Sequence, residues 1–149
     1  RRINQVLDPQ WSNQNAFLGN NEGLDSGLMI VQYVAAAVIA ELSLLANPVT
    51  TTNISVSMGK EDHVSMGATG AFRTFKASKL LSSVISSELI CACQALDNIS
   101  ENASLPVMSI QQWVRKYVSK LIEDRSTSND TDIIAEKLLE SEFTDIFRS

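Results

Sequence analysis

The chain has 149 residues, 19% of them charged, and its 12 Lys and Arg against 17 Asp and Glu leave a formal net charge of -5. That length suits one domain with a real core, and the acidic balance, with no basic stripe, argues against a nucleic-acid partner, because phosphate contacts need clustered Lys and Arg. One histidine and two cysteines are too few for a zinc site.

The opening RRINQVLDPQW lacks an initiator methionine and reads as the start of a piece of a longer protein. Residues 1–26 are expected to form an irregular arm, since Asp8 to Gly27 is rich in Asn, Gly and Asp. Asp25 or Ser26 then caps a helix over residues 27–47, which Asn47 and Pro48 end. This helix, GLMIVQYVAAAVIAELSLLAN, is apolar almost all round, so it must be surrounded on all sides. It is long enough to raise a membrane span. Gln32 and Glu41 fall inside it and no basic residue flanks it closely, so burial within protein is the preferred reading.

A second, long helix is predicted over residues 60–99. Val64, Ala68, Phe72 and Phe75, then Ile85, Leu89, Ala92, Leu96 and Ile99, recur at spacings of three and four. Some 35 residues make a rod of roughly 50 Å, against a radius of gyration of about 15 Å for a compact chain of this size. The expected fold class is therefore all-α, an elongated bundle of long helices in one segment. Cys91 and Cys93 lie too close in sequence for a comfortable disulfide. They read as small buried apolar residues and place the protein in a reducing, cytoplasmic compartment. Four Asn-x-Ser/Thr sequons, at Asn53, Asn98, Asn102 and Asn129, are weak signals with no signal peptide in view.

After a polar break from Asn98 to Ser109, residues 109–149 are expected to hold two amphipathic helices. Trp113, Val114, Tyr117, Val118 and Leu121 share one face of the first. Ile133, Ile134, Leu138 and Phe143 or Ile146 share one side of the last, with RSTSN between the two. Internal repeats and low-complexity tracts are absent from the sequence.

Chemistry-bearing patterns are few. GATGAFRTFK has glycines but neither a preceding strand nor phosphate-loop spacing. Ser65, His63 and Asp62 are too close in sequence to converge as a triad. What remains is the run Lys60, Glu61, Asp62, His63 at the predicted helix start, where Glu61 or Asp62 has a plain role as a cap favoured by free backbone N–H groups and the helix dipole.

Three strings shift that balance: GLDSGLMIVQYVAAAVIAE, then SVSMGKEDHVSMGATGAFRTF, then SSELICACQALD. In this order they resemble the C-terminal portion of the histidine and aromatic amino-acid ammonia-lyase family, its histidine-specific members above all. Val114 to Leu138 looks like the family's closing helices, so the similarity covers nearly the whole chain, and EDHVSMG is a specific string. The resemblance implies a lyase that removes ammonia from an α-amino acid, giving urocanate when the substrate is L-histidine. It also implies a fold of long helices and a tetramer whose active sites draw on more than one subunit.

Residue by residue, Glu61 matches the acidic group that faces the substrate in histidine-specific members, and a carboxylate suits an imidazole N–H and ring charge during elimination. Asp62 and His63 are expected to hold the loop and helix start, since consecutive helical side chains diverge by about 100°. Lys60 departs from the family, many of whose members carry an uncharged polar residue there. It is a weak candidate for substrate binding, and its charge favours an imidazole-binding over a proton-abstracting Glu61. The family's electrophile, a methylidene-imidazolone, forms from an Ala-Ser-Gly tripeptide that these 149 residues lack. The family's catalytic tyrosine and substrate-binding arginine belong to earlier segments too. The chain alone is thus expected to be inactive, supplying assembly helices and an acidic wall to a site completed by a missing N-terminal segment. A non-catalytic helical assembly module, and a lyase or aminomutase acting on phenylalanine or tyrosine, are the alternatives.

Overall fold

The computed structural model describes residues 1–21, 23–100 and 103–147. Seven α-helices follow in order among them: α1 Arg2–Leu7, α2 Pro9–Ser12, α3 Met29–Leu45, α4 Gly67–Asp97, α5 Leu105–Tyr117, α6 Ser128–Lys137 and α7 Ser141–Asp145. The fold is all-α, and the one β-type pairing among the described residues is an isolated bridge between Val56 and Glu61. The 31 residues of α4 run about 46 Å at 1.5 Å per residue. Helices α1, α3, α5 and α6 all pack on α4.

The N-terminal arm is more ordered than its composition suggests. Asp8 accepts the Gln10 N–H at 2.9 Å and Pro9 opens the helix, a combination that starts α2 without any long apolar pattern. Ile3 and Leu7, four apart, bury one side of α1, and Arg2 forms an ion pair with Glu88 of α4. Farther on, the chain makes a left-handed turn at Phe17 and Leu18, and the Phe17 carbonyl accepts the Leu28 N–H at 2.9 Å. Gly27 lies at φ +51 directly against that carbonyl, where a Cβ has no room. The Asp124 carboxylate fixes this corner by accepting the N–H groups of Ser26 at 2.7 Å and Gly27 at 2.9 Å.

The expectation of a buried helix over 27–47 fails within this chain. Helix α3 starts two residues later and buries only Val31 and Ala35, while Ile30, Tyr33, Val34, Ile39 and Leu44 are exposed. The reason is geometric: its chief helical neighbour is α4, so one stripe is covered and the rest faces outward. Arg73 donates to the Leu44 and Leu45 carbonyls at 2.9 and 2.8 Å, closing the C-terminus of α3, and Lys76 pairs with Glu41 at 2.6 Å. By length and composition alone, α4 and the stretch beginning at α3 are each apolar enough to cross a membrane.

Helix α4 begins at Gly67, seven residues after the predicted start, and it turns part of the expected stripe outward, although Leu89 of that stripe packs against the core. Phe72 and Phe75 are 79% and 61% exposed, and Ile85 and Ile99 are exposed as well. The covered face instead carries Ser82, Ser86, Ser87, Cys91 and Gln94 with Ile90. Small side chains let neighbouring backbones approach, and their hydroxyls stay satisfied: Ser86 Oγ donates to the Thr131 carbonyl at 2.7 Å, and Ser82 and Ser87 bond back to carbonyls of their own helix. Cys91 and Cys93 are free and buried, and burial pushes their thiols up to about 12 and about 11.

The C-terminal region departs from its predicted boundaries. Helix α5 starts at Leu105 with Pro106 in its first turn and stops at Tyr117, before the expected face reaches Val118 and Leu121. Val118 and Leu121 are buried as the pattern required, yet both lie beyond the end of α5. The side-chain amide of Gln94, 2% exposed, replaces the helix bonds of Leu121: it accepts the Leu121 N–H at 3.0 Å and donates to the Leu121 carbonyl at 2.9 Å. The single last helix expected is instead two, α6 and α7, broken at Leu138 to Glu140. Phe143 of α7 stacks at 4.9 Å on Trp113, whose buried indole N–H has no acceptor among the described residues. The sequon at Asn102 lies outside the described residues.

Candidate functional site

The four titratable residues at 60–63 sit in a surface loop, not at a helix start. The N-cap position of α4 is Met66, which makes no side-chain capping bond, so Glu61 and Asp62 do not cap the helix. The capping expectation and the helix boundary at residue 60 are both corrected by the same cause. The backbone here is committed to a closed loop with its own hydrogen bonds.

Two sets of bonds close it. At the base, the Asn53 side-chain amide donates to the Val64 carbonyl at 2.6 Å and accepts the Val64 N–H at 2.9 Å. Nearer the tip, the Val56 N–H donates to the Glu61 carbonyl at 3.0 Å, the Glu61 N–H returns to the Val56 carbonyl at 3.4 Å, and Ser55 Oγ donates to the Glu61 carbonyl at 3.0 Å. Between them the chain reverses through three left-handed residues, Ser57, Met58 and Gly59, at φ +55, +59 and +83. Two of the three carry a Cβ, a conformation costing roughly 1–2 kcal/mol per residue. Met58 at the apex is 98% exposed.

Lys60, Glu61, Asp62 and His63 are all exposed. None of the four side chains has a hydrogen-bond or ion-pair partner among the described residues, and Lys60 does not pair with Glu61. The loop brings the four together in sequence on one projection, but it does not enclose them. A cleft of about 430 Å³ lies between α3 and α4, lined by Leu45, Pro48, Val49, Gly70 and Arg73, and none of the four lines it. Among the described residues no group of His, Cys, Asp and Glu is arranged to hold a metal. Chemically, the loop offers two unengaged carboxylates, Glu61 and Asp62, and one imidazole on a braced backbone, exposed and not enclosed. Asn53 and Ser55, which brace it, were visible in sequence only as parts of a sequon.

Residues 1–117 match the aromatic amino acid lyase family, a stretch that runs from α1 through α5 and includes the whole loop. The chain belongs to that family. Histidine ammonia-lyase of Deinococcus radiodurans is 42% identical to it over 125 residues, which are 84% of this chain and 24% of that protein. Among solved structures, the histidine ammonia-lyase of Trypanosoma cruzi superposes with a TM-score of 0.94 at 32% identity, covering 99% of this chain and 29% of that one. A phenylalanine aminomutase of Pantoea agglomerans superposes with a TM-score of 0.88 at 34% identity, over 93% of this chain and 28% of that one. The chain therefore spans less than a third of the length of the family members it matches.

Proposed function

We propose that this chain is part of a histidine ammonia-lyase-like carbon–nitrogen lyase that converts L-histidine to urocanate and ammonia. The observation that carries the reading is Glu61, an unengaged carboxylate on a braced, exposed loop within the string EDHVSMG. In the elimination, the bond from Cα to the amino nitrogen breaks and a Cβ proton leaves. An imidazole ring carried through that step gains from a carboxylate held at its N–H. Glu61 takes that place, Lys60 is a minor contributor to substrate binding, and Asp62 and His63 belong to the loop that carries it.

The methylidene-imidazolone electrophile has no source in these residues, which contain no Ala-Ser-Gly, so no step here is routed through it. The chain supplies the acidic wall and helices for assembly, and the remainder of the lyase supplies the electrophile. The uncovered apolar faces of α3 and α4 support a homo-oligomer, a tetramer in this reading, in which those faces are buried between subunits. Free, buried thiols suit a cytoplasmic enzyme. A second reading, a lyase or aminomutase acting on phenylalanine or tyrosine, is favoured by the likeness to the Pantoea aminomutase. A non-catalytic assembly module of the same fold is a third.

The test joins the chain to its upstream coding segment and follows urocanate from L-histidine by ultraviolet absorbance, with Glu61→Ala alongside. Turnover that falls at least a hundredfold in the variant is expected. Turnover of phenylalanine or tyrosine but not histidine would favour the second reading, and turnover of none, with the electrophile present, the third.

A further inference from the structure

We propose that Asn53 is a positioning residue for Glu61, holding the acidic loop in register through a two-bond clamp on the backbone of Val64. The inference rests on the role given to Glu61 above, and it names the part of this chain that sets where that carboxylate stands.

Asn53 is half-buried and follows the turn that ends α3, while Val64 lies three residues before α4. Its side-chain amide meets both backbone groups of Val64, at 2.6 and 2.9 Å, just as a paired strand residue would. A carboxamide does this because it carries a donor and an acceptor side by side. Aspartate keeps only the acceptor, serine is too short to present both, and alanine has neither.

The clamp closes an eleven-residue span, so it removes most of the freedom of the loop above it. Glu61 is inside that span and is otherwise held only through its own backbone, by Val56 and Ser55. With the strained reversal at Ser57 and Met58 pulling against those bonds, the base clamp resists their opening. Asn53 also lies in the sequon Asn53-Ile54-Ser55, and one of the two N–H groups of its side-chain amide is engaged by the Val64 carbonyl.

The experiment is a double-mutant cycle in the intact lyase: parent, Asn53→Ala, Glu61→Ala and the double variant. Hydrogen exchange of the 55–64 segment is measured on each. Asn53→Ala is expected to lower kcat/KM about ten- to hundredfold, as misplacement of a substrate-holding group does. It should do almost nothing further in the Glu61→Ala background. Faster exchange at the Val64 and Val56 amides should accompany it, with Asn53→Asp recovering part of the Val64 protection through its remaining acceptor. A loss of equal size in both backgrounds, or unchanged exchange in Asn53→Ala, would overturn the positioning role. Full activity in Glu61→Ala would instead overturn the role of Glu61, and with it the catalytic meaning of the clamp. The exchange data then show separately whether Asn53 holds the loop.

Discussion

Replacing Gln94 with Met gives a sharp test of how the C-terminal region is held. The two side chains have nearly the same length and volume, so packing is conserved and the change falls on hydrogen bonding. In the parent, the buried amide pairs with both the N–H and the carbonyl of Leu121. The carbonyl keeps a second donor, Asn20 Nδ2 at 3.2 Å, whereas the N–H has no other acceptor. An unsatisfied buried donor costs about 1–3 kcal/mol, and one lost bond at a carbonyl that retains another adds about 0.5 to 1 kcal/mol. The expected destabilisation is therefore about 1.5–4 kcal/mol, or roughly 3–16 °C in melting temperature for a chain of this size. Thermal unfolding followed by far-ultraviolet circular dichroism measures it. Gln94→Glu should be worse, since an ionised carboxylate keeps the Leu121 N–H but sets a charge against the carbonyl. A Gln94→Met protein melting within 2 °C of the parent would refute the assignment of the Leu121 backbone bonds to this side chain.

Two further outcomes follow from the same geometry. Tyr117 donates to Glu142 at 2.7 Å and Lys116 to the same carboxylate at 3.1 Å, which docks α7 on α5. The bond from Tyr117, then that from Lys116, holds the Glu142 carboxyl below its ordinary value of 4.5, and the bond to Glu142 raises Tyr117 above 10.0. A lowered acid contributes stability that is present above its ordinary value and is lost as pH falls through the folded one. A raised phenol contributes stability that is present below its ordinary value and is lost as pH rises through the folded one. Docking of α7 should thus hold at neutral pH and weaken in acid below about 4.5 and in alkali above about 10, with Trp113 fluorescence reporting the contact to Phe143. Tyr117→Phe should shrink the acid response that Glu142→Gln removes, with Lys116 still donating to Glu142, and identical profiles for the parent and Tyr117→Phe would exclude the bond from Tyr117. Separately, the exposed Phe72, Phe75 and Ile85 should drive self-association of the isolated chain. In analytical ultracentrifugation it is expected to sediment above its 16.3 kDa mass, and a Phe75→Asp, Ile85→Asp pair to return it to monomer. A monodisperse parent monomer would contradict that expectation.

How far the sequence could be read depended on what each pattern was a pattern of. Helical periodicity located α3, α4 and α5 because apolar spacing reports helix type whatever covers the face. It named the wrong face of α4, since Phe72, Phe75 and Ile85 look like a core while Ser82, Ser86 and Ser87 do not. Burial of the serines depends on close backbone approach and hydroxyl bonds, which composition scales do not register. Val118 and Leu121 are buried as the pattern requires but not helical: Val118 is the extended residue that ends α5, and the substitute for the helix bonds of Leu121 is a side chain 27 residues back in sequence, Gln94. At the site, the string EDHVSMG marked the loop. That Glu61 stands on a clamped loop and not a helix cap depended on Asn53, and an Asn at the end of a turn carries no sequence signal that it will pair with Val64.

The ion pair between Arg2 and Glu88 spans 86 residues of chain and sets a timetable for synthesis. A ribosome adding about 5–20 residues per second leaves α1 without its partner helix for about 4 to 17 s. A six-residue helix does not persist alone in water for such a time. Within this chain, α1 therefore gains its most distant partner only after α4 has followed it out of the exit tunnel.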